Sequence, residues 1–125
     1  MGSDQRETDV VTEAIIGCAF RVLNQLGCGF LEKVYENALA HEVKKSGLEI
    51  RQQTPIIVRY DGIVVGDYVA DLVVENRVLI ELKAASGIED VHVAQTLNYL
   101  KATGLKVGLI LNFGKPRLDI KRLTN

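Results

Sequence analysis

Two acids and a lysine stand where valine or isoleucine would be expected in two neighbouring apolar segments. Asp71 precedes Leu-Val-Val, and Glu81 and Lys83 interrupt the run Val-Leu-Ile-Glu-Leu-Lys. Because strand side chains alternate between faces, Glu81 and Lys83 point to one face, and Ile80 and Leu82 point to the other. A connecting loop of about three residues would place Asp71 opposite Glu81, and a shift of one residue would leave them close neighbours. The segment therefore predicts a β-hairpin with two carboxylates and an ammonium group on one face.

This set of groups is typical of a cation site. Opposed carboxylates repel each other, so the pair Asp71 and Glu81 is a poor choice for stability alone. Mg²⁺ takes oxygen ligands and often binds only one or two protein carboxylates, with waters and phosphates completing its shell. Lys83 would orient a water or offset charge that develops on a phosphate. The alternative is a solvated strand face on which Glu81 and Lys83 form a surface ion pair of little energetic value.

A further acid borders the apolar face of a predicted helix. At about 100° per residue, Glu32 lies within roughly 20° of Leu39 and Val43 on a helical wheel. Glu36 follows one turn later on the same edge and is a second candidate. The alternative for Glu32 is a first-turn acid that interacts favourably with the helix dipole.

Polar residues of a third helix are the remaining candidates. Gln95 and Tyr99 are four residues apart and share a helix face, with His92 one turn earlier. Ser86–Glu89 matches a capping box, which would direct the first amides of this helix towards an anion just beyond Lys83. The alternative is a polar helix edge with a half-buried tyrosine.

The elements that must position these groups follow from periodicity and breakers. Apolar residues at helical spacing predict two helices separated by glycines, and β-branched segments predict a strand meander with a turn at Asp61-Gly62. Gly104 ends the third helix, and the final Arg-Leu-Asp-Ile-Lys-Arg-Leu segment is an edge strand or a tail. We expect a disordered tail over 1–7 and one domain over 8–125, with helices over 8–26, 30–45 and 89–103 and strands over 56–58, 63–65, 68–74, 78–83 and 106–113.

Composition limits the class of protein. A chain of 125 residues that is 47% hydrophobic and 25% charged is typical of one globular domain, with no apolar run long enough for a membrane span and no signal peptide. The net charge of −1 argues against a dedicated nucleic-acid binder, although a local basic patch is compatible with it. Cys18 and Cys28 do not form a metal-type pair, so we expect reduced thiols in a cytoplasmic protein.

The order of these motifs resembles a known family. Gly29-Phe30-Leu31-Glu32-Lys33-Val34-Tyr35 is a G-x-x-E-x-x-Y string, followed by Asp71, by Glu81-Leu82-Lys83 and by Gln95-Thr96-Leu97-Asn98-Tyr99. The chain is similar, over about residues 12–123, to the GxxExxY proteins, small bacterial and archaeal members of the PD-(D/E)XK nuclease superfamily. The resemblance implies an α/β (α+β mixed) fold with a restriction-endonuclease-like α-β-β-β-α-β core, preceded here by an extra helix.

The resemblance also implies roles for the acids and the lysine. Asp71 and Glu81 would bind Mg²⁺ or Mn²⁺, and Glu32 would complete the metal shell. Lys83 would be the catalytic lysine.

Two further residues match a motif beside the site, and two positions depart from the family pattern. Gln95 and Tyr99 match the Q-x-x-x-Y motif of the exonuclease branch, which steadies the end of the substrate. Ala70 stands where many members have proline before the aspartate, and Cys28 stands between glycines where related sequences often have proline. Neither departure removes a predicted ligand.

The first hypothesis is therefore a metal-dependent phosphodiesterase acting on nucleic acid, with DNA favoured over RNA. By analogy with other small nucleases, a homodimer is an alternative to a monomer. A basic cluster near the C-terminus would contact phosphates, or would be a solvated tail; it consists of Lys115, Arg117, Lys121 and Arg122.

Two other hypotheses remain open at this point. The second is a non-catalytic module with a nuclease-like fold that binds nucleic acid or a protein partner, which the small size and near-neutral charge favour. The third is an oligomeric structural or ligand-binding α/β domain in which the acids are incidental.

Overall fold

A computed structural model describes residues 2–125, which form three helices and one five-stranded sheet. The order of elements confirms the predicted α-β-β-β-α-β core with one helix in front, and the final segment, predicted as an edge strand or a tail, is an edge strand. No helix among the described residues combines the length and apolar character needed to cross a membrane. The elements are α1 (Gly2–Leu26), α2 (Glu32–Lys45), β1 (Ile50–Tyr60), β2 (Ile63–Val74), β3 (Val78–Lys83), α3 (Asp90–Thr103), β4 (Val107–Asn112) and β5 (Asp119–Thr124).

The sheet has the order β1-β2-β3-β4-β5, in which β3 and β4 are parallel and the other neighbours are antiparallel. One face packs against α1 and α2 through residues such as Leu72 and Ile80, and the other packs against α3 through residues such as Val73 and Leu79. Because both faces are covered, β3 and β4 are almost continuously apolar, as expected for interior strands. A charged side chain in β3 is therefore unusual and marks the site.

The first helix begins earlier than the sequence indicates. The tail predicted over 1–7 is helical from Gly2 onwards, and Met1 lies outside the described residues. Arg77, in the turn between β2 and β3, donates from Nη1 to Asp4 Oδ1 at 2.6 Å and from Nη2 to Glu7 Oε2 at 2.6 Å. These first turns have no apolar stripe, so the sequence pattern cannot reveal a helix held by a distant arginine.

The first two strands form an arm that extends beyond the rest of the sheet. β2 pairs with β3 only over Leu72–Val74, whereas it pairs with β1 along almost its whole length. Residues 63–70 therefore have a free edge. Several large apolar side chains of the arm are exposed, namely Ile57, Tyr60, Ile63, Val64, Val65, Tyr68 and Val69.

The start of α3 corrects one prediction. The N-cap is Glu89 and not Ser86, and His92 Nδ1 accepts a hydrogen bond from the Glu89 backbone N–H at 3.0 Å. The Glu89 side chain accepts the His92 N–H, as the serine was expected to do, and the imidazole takes the place of the acid that would reach back to the N-cap. The predicted end of the helix is confirmed, since Gly104 has φ +77° and its N–H reaches Leu100 O.

Candidate active site

The two predicted acids of the hairpin lie side by side where β2 and β3 separate. The antiparallel pairing ends at Leu72 and Ile80, so the next opposed pair is Asp71 and Glu81. Glu81 Oε2 accepts a hydrogen bond from the Asp71 N–H at 2.9 Å, and Asp71 Oδ2 accepts one from the Leu82 N–H at 2.8 Å. Each carboxylate therefore binds the backbone of the other strand. These bonds fix both side chains at the point of separation.

The surroundings of this pair disfavour two negative charges. Glu81 is only 6% exposed, and burial together with the charge of Asp71 raises its pKa to about 8. Burial also raises the pKa of Asp71, and the Leu82 N–H only partly opposes that shift. Residues 2–125 supply no hydrogen bond to the second oxygen of either carboxylate. A bound cation would relieve the repulsion and use these oxygens.

The third predicted ligand lies near the pair but apart from it. Glu32 is exposed at the first position of α2, and its charge raises the pKa of both Asp71 and Glu81. Among residues 2–125, no three His, Cys, Asp or Glu side chains are close enough to surround a metal ion. The structure thus brings Asp71 and Glu81 together and leaves Glu32 at the side.

A cavity of about 690 Å³ connects Glu32 with Asp71, and we call it the acidic cavity. A donor set of carboxylate oxygens fits a hard divalent cation such as Mg²⁺ or Mn²⁺, which keeps several waters beside one or two protein carboxylates. Residues that line the cavity include Glu32, Lys33, Glu36, Gln53, Asp71 and Gly114.

Glu36, the second candidate on α2, is fully engaged. It is 3% exposed, and Lys33 Nζ and Gln53 Nε2 donate to Oε1 at 2.9 and 2.8 Å, while Gln52 Nε2 donates to Oε2 at 2.8 Å. The charge of Glu36 raises the pKa of Asp71. Glu36 therefore affects the charge state of Asp71 and holds Gln52 and Gln53 in place. Both of its oxygens already accept a hydrogen bond from the protein.

Sequence reasoning missed Gln53, which joins β1 to the cavity. Its φ of +51° lies in the left-handed region, and it falls between the pairs Gln52–Leu72 and Thr54–Ala70, opposite Asp71. Such a conformation costs a non-glycine residue on the order of 1 kcal/mol and is often found at functional sites. Here it directs the amide to Glu36. The only signal in the sequence is a polar run before Thr54 in an otherwise apolar strand.

Lys83 ends β3 without an ion pair among the described residues, and its charge lowers the pKa of both Asp71 and Glu81. The Phe113 N–H donates to Lys83 O at 2.8 Å, which holds the end of the strand. The ammonium group is thus close enough to act on the pair and is not bound by either acid.

A second group that the sequence did not reveal fixes the segment after Lys83. The side chain of Asn112 is fully buried, accepts the Ala85 N–H at 2.9 Å and donates to Ala85 O at 2.9 Å. Gly114 then passes so close to Ala85 that an added Cβ would overlap its backbone N and O atoms. The wall of the acidic cavity is therefore rigid at this point.

The predicted contact between Gln95 and Tyr99 on α3 is present. Gln95 Nε2 donates to Tyr99 Oη at 2.6 Å, burial raises the pKa of Tyr99, and the charge of Glu81 raises it further. Tyr99 is therefore a neutral hydroxyl close to the carboxylates. His92, the secondary candidate, has its Nδ1 engaged in capping α3.

Tyr35 explains the spacing of the G-x-x-E-x-x-Y string. Its Oη donates to Gly27 O at 2.6 Å and accepts the Phe30 N–H at 3.2 Å, so it holds the loop that leads into Glu32. Its ring stacks on Phe113, with centroids 4.8 Å apart, and Phe113 in turn holds the end of β3. Tyr35 thus links the loop before Glu32 to β3, the strand that carries Glu81.

The predicted basic cluster lies on the edge strand β5 and the loop before it. Lys115 Nζ pairs with Asp119 Oδ1 at 3.1 Å, and Arg122 Nη2 pairs with Asp9 Oδ1 at 2.7 Å. Arg117 and Lys121 have no ion pair within the described part of the chain. Two of the four cations are thus engaged with acids.

The fold and this pair of acids are those of a nuclease-like domain, and comparison with known proteins identifies the class. A sequence model of the PD-(D/E)XK nuclease superfamily matches residues 9–123, and the chain belongs to this superfamily. A crystal structure of the protein SSO0001 has a similar fold, with a TM-score of 0.56 at 18% identity. The match covers 75% of this chain and 50% of that protein, so this chain spans half of its length. A search of curated proteins finds no match.

Proposed function

We propose that this chain is a nuclease of the GxxExxY group that hydrolyses phosphodiester bonds in nucleic acid, with Mg²⁺ or Mn²⁺ as cofactor. The observation that carries the proposal is the pair Asp71 and Glu81, which is held in place by two backbone hydrogen bonds although both pKa values are raised. An unfavourable arrangement of this kind persists where it serves a function. DNA is the favoured substrate over RNA.

Asp71 and Glu81 would hold the cation, with Glu32 available from the side of the acidic cavity. When bound, the cation supplies Lewis-acid polarisation of the scissile phosphate and lowers the pKa of a water. Lys83 donates a hydrogen bond that positions the attacking water or offsets the charge that develops on the phosphate. The Tyr99 hydroxyl, oriented by Gln95, donates to a phosphate oxygen at the substrate end.

A calorimetric titration with Mn²⁺ in the absence of nucleic acid tests the metal site first. Saturable binding is expected for the wild type and not for Asp71→Asn, which keeps the shape of the side chain and loses its charge. Glu13→Gln, an exposed change on α1, is the matched control and should bind as the wild type does. Single-stranded, duplex and branched substrates are then tested for cleavage. Equal Mn²⁺ binding by Asp71→Asn would place the metal elsewhere.

One observation favours a second candidate, a non-catalytic module that binds nucleic acid or a protein partner. Within residues 2–125, Glu32 does not join the carboxylate pair, so no three-acid cluster is formed. A module of this kind would bind a partner equally with and without EDTA and would cleave nothing. Cleavage that is lost in Lys83→Gln would exclude it. The cytoplasmic location, the homodimer and the phosphate contacts of the basic cluster remain predictions.

A further inference from the structure

A second depression lies between the β1–β2 arm and α3, and we call it the arm groove. Its volume is about 880 Å³, and both of its walls are regular elements. Residues from the arm and from α3 face each other across it, including Ile57, Arg59 and Tyr68 on one side and Val91, Tyr99 and Lys101 on the other.

The charge of the arm groove is positive in a chain whose net charge is −1. Arg59 and Lys101 line it, and no described Asp or Glu does so. Neither cation forms an ion pair with any residue of 2–125. Two unpaired cations without a lining acid favour an anionic occupant.

An aromatic ring lines the same groove as these cations. Tyr68 is 49% exposed, and its ring is tilted by 46° against Tyr99 with centroids 5.7 Å apart. Gly66 lies beneath the Tyr68 ring: a Cβ added to Gly66 would be 3.1 Å from Tyr68 Cε2. The absence of a side chain at Gly66 thus lets the Tyr68 ring lie over the arm.

One residue of the arm groove, Tyr99, lies near the carboxylate pair. Tyr99 lines the groove and also lies close enough to Glu81 and Asp71 for their charges to raise its pKa. A chain that enters past Tyr68 would therefore reach the acids by way of Tyr99. The amides of Gln95 and Asn98 line the same wall and offer both donors and acceptors.

We propose that the arm groove binds a single-stranded segment of nucleic acid and feeds its end to Asp71 and Glu81, an inference that rests on the proposed nuclease function. Bases within a duplex have their faces covered by stacking, so a half-exposed ring such as Tyr68 can stack only on an unpaired base. Arg59 and Lys101 would bind the phosphates on either side. Single-stranded nucleic acid is therefore the inferred class of substrate.

Fluorescence anisotropy in EDTA tests this without requiring cleavage. The probes are labelled oligothymidylate, oligouridylate and a duplex of equal length, at one fixed salt concentration. We expect the wild type to prefer single strands and Tyr68→Ala to bind them about tenfold more weakly, since one stacked base contributes about that factor. Arg59→Gln and Lys101→Gln should each reduce the salt dependence of binding by about one ion.

The chain offers matched controls for both changes. Tyr60→Ala removes a tyrosine that is 70% exposed at the tip of the same arm and does not line the groove. Tyr68→Phe keeps the stacking ring, and Lys44→Gln removes an exposed cation on α2. All three should bind as the wild type does.

Four results would overturn the proposal. The first is single-strand binding that is equal in Tyr68→Ala and Tyr60→Ala, which would leave the nuclease intact but place the substrate elsewhere. The second is tighter binding of the duplex. The third is a wild-type dimer in sedimentation that Tyr68→Ala converts to monomer, which would make the groove a self-interface. The fourth is no binding of any probe while Mn²⁺ still binds at Asp71; loss of both would remove the nuclease proposal as well.

Discussion

The acidic cavity and the arm groove have opposite chemistry. The cavity is lined by Glu32, Glu36 and Asp71, whereas the groove is lined by Arg59 and Lys101 with no acid among its described residues. Both exist because β2 leaves β3 at Asp71 and continues as the arm. One separation of strands thus creates a place for a cation and a place for a polyanion.

The two regions also differ in how firmly they are held. The wall of the acidic cavity is fixed by buried groups such as Asn112 and Tyr35, while the arm groove consists largely of exposed side chains. We expect changes in the cavity wall to cost stability as well as activity. Changes at the exposed groove residues Arg59, Tyr68 and Lys101 should affect binding only.

The largest effect is expected at Lys83, whose ammonium group we propose to act on the reacting phosphate. Lys83→Met should lower kcat by about 10²- to 10⁴-fold, the range of one positioned proton donor. Lys44→Met, an exposed lysine of α2, is the control and should keep the wild-type rate. Cleavage is measured with Mn²⁺ on the best substrate of the screen. Unchanged cleavage by Lys83→Met would mean that the activity comes from a contaminant.

The rigidity of the cavity wall is tested at Gly114. Gly114→Ala should lower the free energy of unfolding by about 3 kcal/mol, because the added methyl group overlaps the Ala85 backbone. Gly87→Ala is the matched control: it has no neighbour within 4 Å of an added Cβ, so its effect should stay within about 0.5 kcal/mol. Chemical denaturation measures both. Equal stability of the two variants would show that the wall is plastic.

The charge of the cavity is tested through pH. Glu81 has an ordinary pKa of 4.5 and a folded value of about 8, so between these values the folded state keeps a proton that the unfolded state has lost. Stability should therefore fall as pH rises through this window. Glu81→Gln should remove most of that fall and stabilise the protein by about 2 kcal/mol at pH values near 8, with little effect near 4.

Thermal unfolding of the wild type and Glu81→Gln across this pH range measures the effect. Glu13→Gln is the control and should leave the stability unchanged both near pH 4 and near pH 8. Mn²⁺ should raise the Tm of the wild type at high pH and leave that of Glu81→Gln unchanged. A parallel pH dependence of both proteins would mean that Glu81 does not carry the raised pKa.

The smallest effect is expected at Tyr35. Tyr35→Phe removes two hydrogen bonds to the loop before Glu32 and should cost about 1 kcal/mol of stability. It should also weaken Mn²⁺ binding a few-fold, because Glu32 loses its fixed position. Calorimetry measures the Mn²⁺ affinity, and chemical denaturation measures the stability. Tyr60→Phe is the control and should change neither. Loss of stability without any change in Mn²⁺ affinity would show that Glu32 does not take part in metal binding.

Much of the site could be predicted because it depends on local rules. Strand alternation and a short loop are enough to place Asp71 opposite Glu81, and a helical spacing of four residues brings Gln95 to Tyr99. The element order also followed from periodicity, including β4 as a buried strand. These features depend on residues that are near one another in sequence.

The rest depends on partners that are distant in sequence. The helical wheel places Glu32 and Glu36 on the same edge, and only the amides of Gln52 and Gln53 from β1 decide that Glu36 is fully bound. The predicted disordered tail is a helix because Arg77 reaches it from the far side of the fold.

The free edge of β2 has a consequence for the protein in concentrated solution. Over 63–70, the backbone groups that face away from β1 are not paired within the described sheet, and the segment carries Val64, Val65 and Val69 as exposed apolar side chains. An exposed edge of this composition is a template for strand pairing between molecules and therefore for aggregation. Asp67 is the only charge in this segment. A single carboxylate thus acts as the gatekeeper against edge-to-edge assembly.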